Sequence, residues 1–152
     1  MFIAVAAKSG LGSAARLSAA VLMLAAAGFF LPRRLPASAG PAWRPYAAET
    51  VARAGQPAVI DFSASWCIPC VELDEKTFSD ARVREALSRR QLWKADMTRS
   101  AAPEVVALAE KYRILGVPTV IFLDASGKEI EDLRLVGFEG PEEFRRRLEK
   151  AP

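Results

Sequence analysis

The feature that most constrains this 152-residue chain is a junction. The apolar run Ala58–Ala64 (AVIDFSA) leads almost directly into Trp66-Cys67-Ile68-Pro69-Cys70. A short β-branched apolar run of this kind reads as a buried strand. The CxxC that follows opens a helix expected to reach about Phe78. Unpaired N–H groups and the macrodipole at a helix N-terminus favour a thiolate on Cys67. Cys70 lies one helical turn further on, so the two sulfurs can close a small disulfide. In this geometry Cys67 is expected to be exposed and to attack, and Cys70 to be shielded and to resolve a mixed disulfide. Pro69 falls in the first turn, where proline is tolerated.

The chain has two cysteines and no histidine. The missing histidine removes Ser–His and Cys–His nucleophile pairs and the commonest metal ligand. A structural zinc site needs about four ligands, which one cysteine pair does not supply without dimerisation. A purely structural disulfide closing a two-residue loop would restrain the unfolded chain little. Buried free thiols fit poorly beside the polar approach Ser63-Ala64-Ser65. A redox pair is the expectation, with no metal and no cofactor.

Three charged positions bear on that pair. Asp61 sits inside the apolar strand, six residues before Cys67. A buried acid is costly to ionise, so it should titrate high and could take the proton from Cys70. The alternative is an Asp at a strand end facing water. Asp74, one turn after Cys70, either disfavours a thiolate on Cys67 or is an ordinary exposed acid beside Glu72 and Glu75. Lys94, on the next strand, is expected to face solvent, with a pairing to Asp61 as the alternative.

Residues 1–39 carry Lys8, Arg16, Arg33 and Arg34 and no acid, leaving 17 basic against 18 acidic residues elsewhere. The basic balance therefore belongs to the leader, and the remainder has no electrostatic case for nucleic acid. Arg145-Arg146-Arg147, interleaved with Glu142, Glu143 and Glu149, reads as a solvated helix face. Residues 17–31 are uninterruptedly apolar. As a helix they span only about 22 Å at ~1.5 Å per residue, short of a hydrocarbon core of about 30 Å. Ala37-Ser38-Ala39 then offers a small-x-small cleavage site. The leader is either removed after Ala39 or kept as a membrane anchor, and in both cases the rest is exported, where disulfides persist.

Beyond it, Gly40–Tyr46 (GPAWRPY) reads as an extended linker and Ala47–Ala54 as a short helix. Ser79 is a candidate cap for a stretch with Val83, Ala86 and Leu87 on one face. Gln91–Met97 reads as a strand. Ser100 would cap a helix over Pro103–Tyr112 whose Val105, Val106, Leu108 and Ala109 turn inward. Thr119–Leu123 and Leu133–Val136 are strands joined through the turn Asp124–Gly127, and Pro141–Lys150 is a last helix burying Phe144 and Leu148. The order α-β-α-β-α-β-β-α implies an α/β fold with a mixed sheet covered by helices on both faces.

The residues DFSASWCIPC, then GVPT, then a hairpin and a terminal helix resemble the thioredoxin fold over about residues 45–150. Glu72, Asp74, Lys76-Thr77-Phe78-Ser79-Asp80, Lys94-Ala95-Asp96-Met97-Thr98, Leu115–Thr119 and Val136-Gly137-Phe138 are similar to one branch, the C-terminal thioredoxin-like domain of the thiol–disulfide interchange protein DsbD. With the leader and linker read above, the expected organisation is 1–39 signal peptide or membrane anchor, 40–46 linker and 47–152 thioredoxin-like domain. The resemblance carries further expectations. It implies a cis Val117–Pro118 bond against the disulfide, and a substrate groove formed by Trp66, Ile68, Pro69, Val117 and Pro118. It also implies that Asp61 and Asp74 tune Cys67, and that electrons pass from a membrane-embedded donor to exported protein disulfides. With only a leader before the domain, that donor is expected on a separate chain, and the domain is expected to act as a monomer in the periplasm.

No cation in Ile68-Pro69 stabilises a Cys67 thiolate, and Asp61 and Asp74 oppose one. The expected activity is therefore a reductase or electron relay. A disulfide oxidase or isomerase of the same fold, and a non-catalytic assembly factor, are the alternatives.

Overall fold

The computed structural model describes residues 40–48, 51 and 55–151. The leader, with its cleavage site, lies outside them, as does most of the expected helix 47–54. Of that helix, Ala48 and Val51 are helical, and the Val51 N–H donates to the Ala47 carbonyl at 3.1 Å.

Five strands form one mixed sheet: β1 (Arg44–Pro45), β2 (Ala58–Ser63), β3 (Gln91–Asp96), β4 (Thr119–Leu123) and β5 (Leu135–Val136), in the spatial order β1-β3-β2-β4-β5. β1 and β2 flank β3 in parallel; β4 runs antiparallel to β2, and β5 to β4. β2 is buried along its whole length, as its apolar run requires. Alternation along the strands separates two faces. One carries Ile60, Phe62, Trp93, Ala95, Ile121 and Leu123, and packs with Val105 and both cysteines. The other carries Val59, Leu92, Val120 and Phe122, and packs with Leu73, Phe78, Val83, Leu87, Phe144 and Leu148. Those last six come from the helices α1 (Ile68–Glu72, continued as a π turn over Leu73–Phe78), α2 (Ala81–Leu87) and α4 (Pro141–Lys150). Helix α3 (Pro103–Tyr112) covers the first face. The architecture is the expected α/β sandwich.

Several local expectations give way to tertiary contacts. The extended segment 40–46 joins the sheet, with Arg44 and Pro45 in register with Trp93 and Lys94. The helix after the CxxC changes to π geometry at Leu73, which buries Leu73, Thr77 and Phe78 together. The cap of α2 is Asp80 rather than Ser79. Asp80 is extended and its carboxylate accepts the N–H groups of Arg82 and Val83, at 2.9 and 3.4 Å. Ser79 keeps helical angles and donates its hydroxyl back to the Glu75 carbonyl. Ala102, not Ser100, precedes α3, whose start is set by Pro103 with no side-chain cap. Val106 on α3 is exposed, so only Val105 of that helix is fully buried. The last hairpin strand shortens to Leu135–Val136, because Glu131–Leu133 forms a 3-10 turn that buries Leu133.

Candidate redox site

β2 ends at Ser63, and the chain crosses to the helix through a loop fixed from β3. The Met97 N–H donates to the Ser63 carbonyl (2.8 Å), the Ser65 N–H to Thr98 Oγ1 (3.0 Å), and the Trp66 indole N–H to the Thr98 carbonyl (3.1 Å). Thr98 is itself held by Asp96, whose carboxyl its hydrogen bonds keep below the usual carboxylate range. Thr98 is therefore a support of the site that the sequence reading passed over. Its only signal was its place in the KADMT stretch.

Cys67 is the N-cap of α1. Its backbone is extended (φ −90°, ψ 103°), and its Sγ accepts the Cys70 N–H at 3.2 Å. An N-cap acceptor satisfies one of the orphan donors of the first turn, and a sulfur in that position gains most when it is anionic. Pro69 lies in the first turn, as expected. Cys67 and Cys70 are joined by a disulfide with Cα atoms 5.3 Å apart. Here one expectation fails: Cys67 is not the exposed partner, because both cysteines are 4 % exposed in the disulfide form. Both cysteines lie in the first-face core beside Ile60, Phe62, Ala64 and Met97. Exposure falls instead on the neighbours, Trp66 at 60 % and Ile68 at 75 %, with Pro69 also exposed. What separates the two sulfurs is the donor: Cys67 Sγ receives the helix N–H.

Asp61 is 1 % exposed and points to the second face, so the water-facing alternative is excluded. β3 places Lys94 opposite it in register, and Lys94 is half-buried rather than solvent-facing. Lys94 Nζ stands 3.3 Å from Asp61 Oδ2, and 2.8 and 2.6 Å from the two oxygens of Asp74. One ammonium thus bridges two carboxylates, and Asp74 is not a free helical acid. Burial pushes the Asp61 carboxyl up to about 6, Lys94 pulls it back, and the Asp74 charge adds to the rise. Asp61 Oδ1 is buried without a hydrogen-bond partner among the described residues. Burial opposes the charge on Lys94, but Asp61 and Asp74 outweigh it and hold the ammonium above the ordinary lysine range. The sequence did carry a signal for this lysine: it alternates in phase with buried Leu92.

The Val117–Pro118 peptide is cis, as the resemblance implied. Pro118 is buried, and Val117 packs on the cluster that contains both cysteines. The loop is held by Thr119 Oγ1 donating to the Gly116 carbonyl (2.7 Å) and by the Gly137 N–H donating to the Pro118 carbonyl (2.9 Å). Gly137 has φ 87°, a conformation that disfavours side chains. Next to these contacts Leu115, Val136 and Phe138 are exposed, an apolar rim that the sequence reading did not single out as binding residues.

The Thioredoxin-like domain family matches residues 45–152. This chain belongs to that family. The thioredoxin-like domain is similar to the thiol:disulfide interchange protein DsbD of Pectobacterium atrosepticum, 42 % identical over 100 residues that cover 66 % of this chain and 17 % of that protein. DsbD of Yersinia pestis (strain Pestoides F) is 38 % identical over 98 residues, covering 64 % of this chain and 16 % of that protein. The chain thus spans about one sixth of the length of these relatives. Among solved structures, the oxidised C-terminal domain of Neisseria meningitidis DsbD superposes with a TM-score of 0.58 at 31 % identity, covering 64 % of this chain and 81 % of that one. A Thermus thermophilus thioredoxin gives 0.59 at 27 % identity, over 73 % and 86 %. The thioredoxin-like domain therefore carries a CxxC disulfide in a DsbD-like setting.

Proposed function

We propose that this chain is an exported thiol–disulfide oxidoreductase working as a reductase or electron relay through Cys67 and Cys70. The observation that carries the reading is the charge around the pair. Cys67 receives one N–H, while Asp61, Asp74 and Lys94 gather two carboxylates and one ammonium. With Asp61 ionised that cluster is net negative, which withholds stabilisation from a Cys67 thiolate. A disulfide whose thiolate form is little stabilised is a poor oxidant, and its dithiol is a good reductant.

In the reduced form the Cys67 thiolate attacks one sulfur of a substrate disulfide. That S–S bond breaks, one substrate thiolate leaves and takes a proton, and Cys67 is held in a mixed disulfide. The Cys70 thiol gives its proton to the Asp61 carboxylate, and its sulfur attacks Cys67 Sγ. The second substrate thiolate leaves and is protonated, so two electrons have passed from the pair to the substrate. Lys94 and Asp74 set the charge that Asp61 feels. Trp66, Ile68, Pro69, Val117 and Pro118 seat an exported protein disulfide. A dithiol protein in the membrane, on a separate chain, returns the electrons. The domain acts as a monomer, either released after Ala39 or tethered by residues 1–39.

The test is the equilibrium potential of the Cys67–Cys70 couple against glutathione. A value towards about −270 mV is expected, and one near about −120 mV would make the protein an oxidase and end the reductase reading. Cys70→Ala should trap substrates on Cys67; trapping by Cys67→Ala alone would reverse the two roles.

A further inference from the structure

The segment Trp43–Tyr46 is fastened along β3 at every residue. Arg44 and Pro45 pair with Trp93 and Lys94, and the Tyr46 N–H donates to the Lys94 carbonyl at 2.9 Å. The Arg44 guanidinium lies 5.6 Å over the Trp93 ring and donates to Gln91 Oε1 at 2.9 Å. At the far end the Tyr46 and Tyr112 hydroxyls bond at 3.0 Å. Trp43 packs at a tilt of 58° against Phe78 of the π turn, ring centroids 5.1 Å apart, and the Lys94 Nζ lies 6.0 Å over the Trp43 ring. The Trp43 Nε1 is buried without a hydrogen-bond partner among the described residues, so the indole is held there by its ring and not by its N–H.

Lys94 is thus flanked by Asp61, by Asp74 and by an aromatic face. A lysine at a surface ion pair exchanges readily with water and contributes little. Here 29 % of the side chain remains exposed, and a π face attracts the ammonium from outside the carboxylate pair. We propose that Trp43 is a positioning residue of the redox site, and that the strap Trp43–Tyr46 seals Lys94 into its bridge between Asp61 and Asp74. The proposal rests on the proton-acceptor role given above to Asp61. It makes proton transfer from Cys70 depend on the edge strand of the sheet.

The groups around Asp61 are Lys94 from β3, Asp74 from the π turn across that lysine, and the uncharged Val120 from β4. The strap contributes no ionisable side chain to them, so its effect on the carboxyl is through Lys94. The experiment follows the rate at which the reduced full chain reduces an aromatic model disulfide, between about pH 4.5 and 8, a range that brackets the carboxyl at about 6. The parent rate is expected to rise through a step set by Asp61, and Asp61→Asn should remove that step. Trp43→Leu loosens Lys94, whose charge lowers the Asp61 carboxyl, and is expected to move the step up by about half a pH unit. Trp43→Phe keeps a π face and should restore the parent profile. In the Asp61→Asn background, Trp43→Leu should change nothing further. Should Trp43→Leu not fold, Tyr46→Phe, which releases the far end of the strap, should shift the step in the same direction. An unmoved step in these variants, with Asp61→Asn still abolishing it, overturns the strap and leaves the role of Asp61 standing. A step that survives Asp61→Asn overturns both.

Discussion

At the scale of single residues, Asp61 is where stability and chemistry conflict. Its carboxyl titrates at about 6 folded against 3.8 in a free chain, because burial penalises the charge more than Lys94 relieves it. The folded state therefore holds this proton more tightly than the unfolded state does. Stability from it is complete below the unfolded value, falls as pH rises through about 6, and stays lost above. A gap of about two pK units corresponds to about 3 kcal/mol. Asp61→Asn should thus raise the unfolding free energy of the oxidised protein, read from urea titration at pH 8, by an amount of that order, and much less at pH 4.5. The acids held low by hydrogen bonds, such as Asp80, Asp96 and Asp124, act oppositely, adding stability that is lost only as pH falls through their own depressed values. The window between pH 4.5 and 7 accordingly belongs to Asp61. Equal unfolding free energies for parent and Asn variant at pH 8 would mean that the carboxyl is not destabilising.

Among the elements, the helices of the second face are joined through aromatic rings. Phe144 of α4 is fully buried, 5.3 Å from Phe78 and 6.0 Å from Phe122 between ring centroids. Those ring contacts connect the π turn behind the CxxC, strand β4 and the last helix. Phe144→Ala should cost about 3–5 kcal/mol in chemical denaturation, from lost transfer energy and the cavity left behind. A loss under about 1 kcal/mol would show that the face collapses to fill the space. β2 and β4 were legible as unbroken apolar runs and α4 by its helical spacing, whereas the inward face read for α3 failed at the exposed Val106. Caps were less legible. Ser79 was read as the cap, but the extended backbone lies one residue on, at Asp80, whose carboxylate meets the free N–H groups.

For the molecule as a whole, redox state and stability form one thermodynamic cycle. A reducing couple is one whose disulfide is favoured by the folded protein, so the oxidised form should unfold at higher guanidinium concentration than the reduced form. Matched unfolding curves with and without reductant measure this. A more stable reduced form would mark the pair as oxidising. The amino-acid sequence by itself determined the strand–CxxC–helix junction, the α/β class and the candidacy of Cys67, Cys70 and Asp61, because each follows from local spacing and residue type, while the candidacy of Pro118 came from the family resemblance. The tertiary structure alone decided that Lys94 bridges Asp61 and Asp74, that Thr98 holds Trp66, that Arg44 and Pro45 extend the sheet, and that Cys67 is covered when bonded. Each of these joins residues about 20 or more positions apart, or depends on where a closed ring points its sulfurs. Local spacing carries no record of such distances. Strand register and helix docking set them.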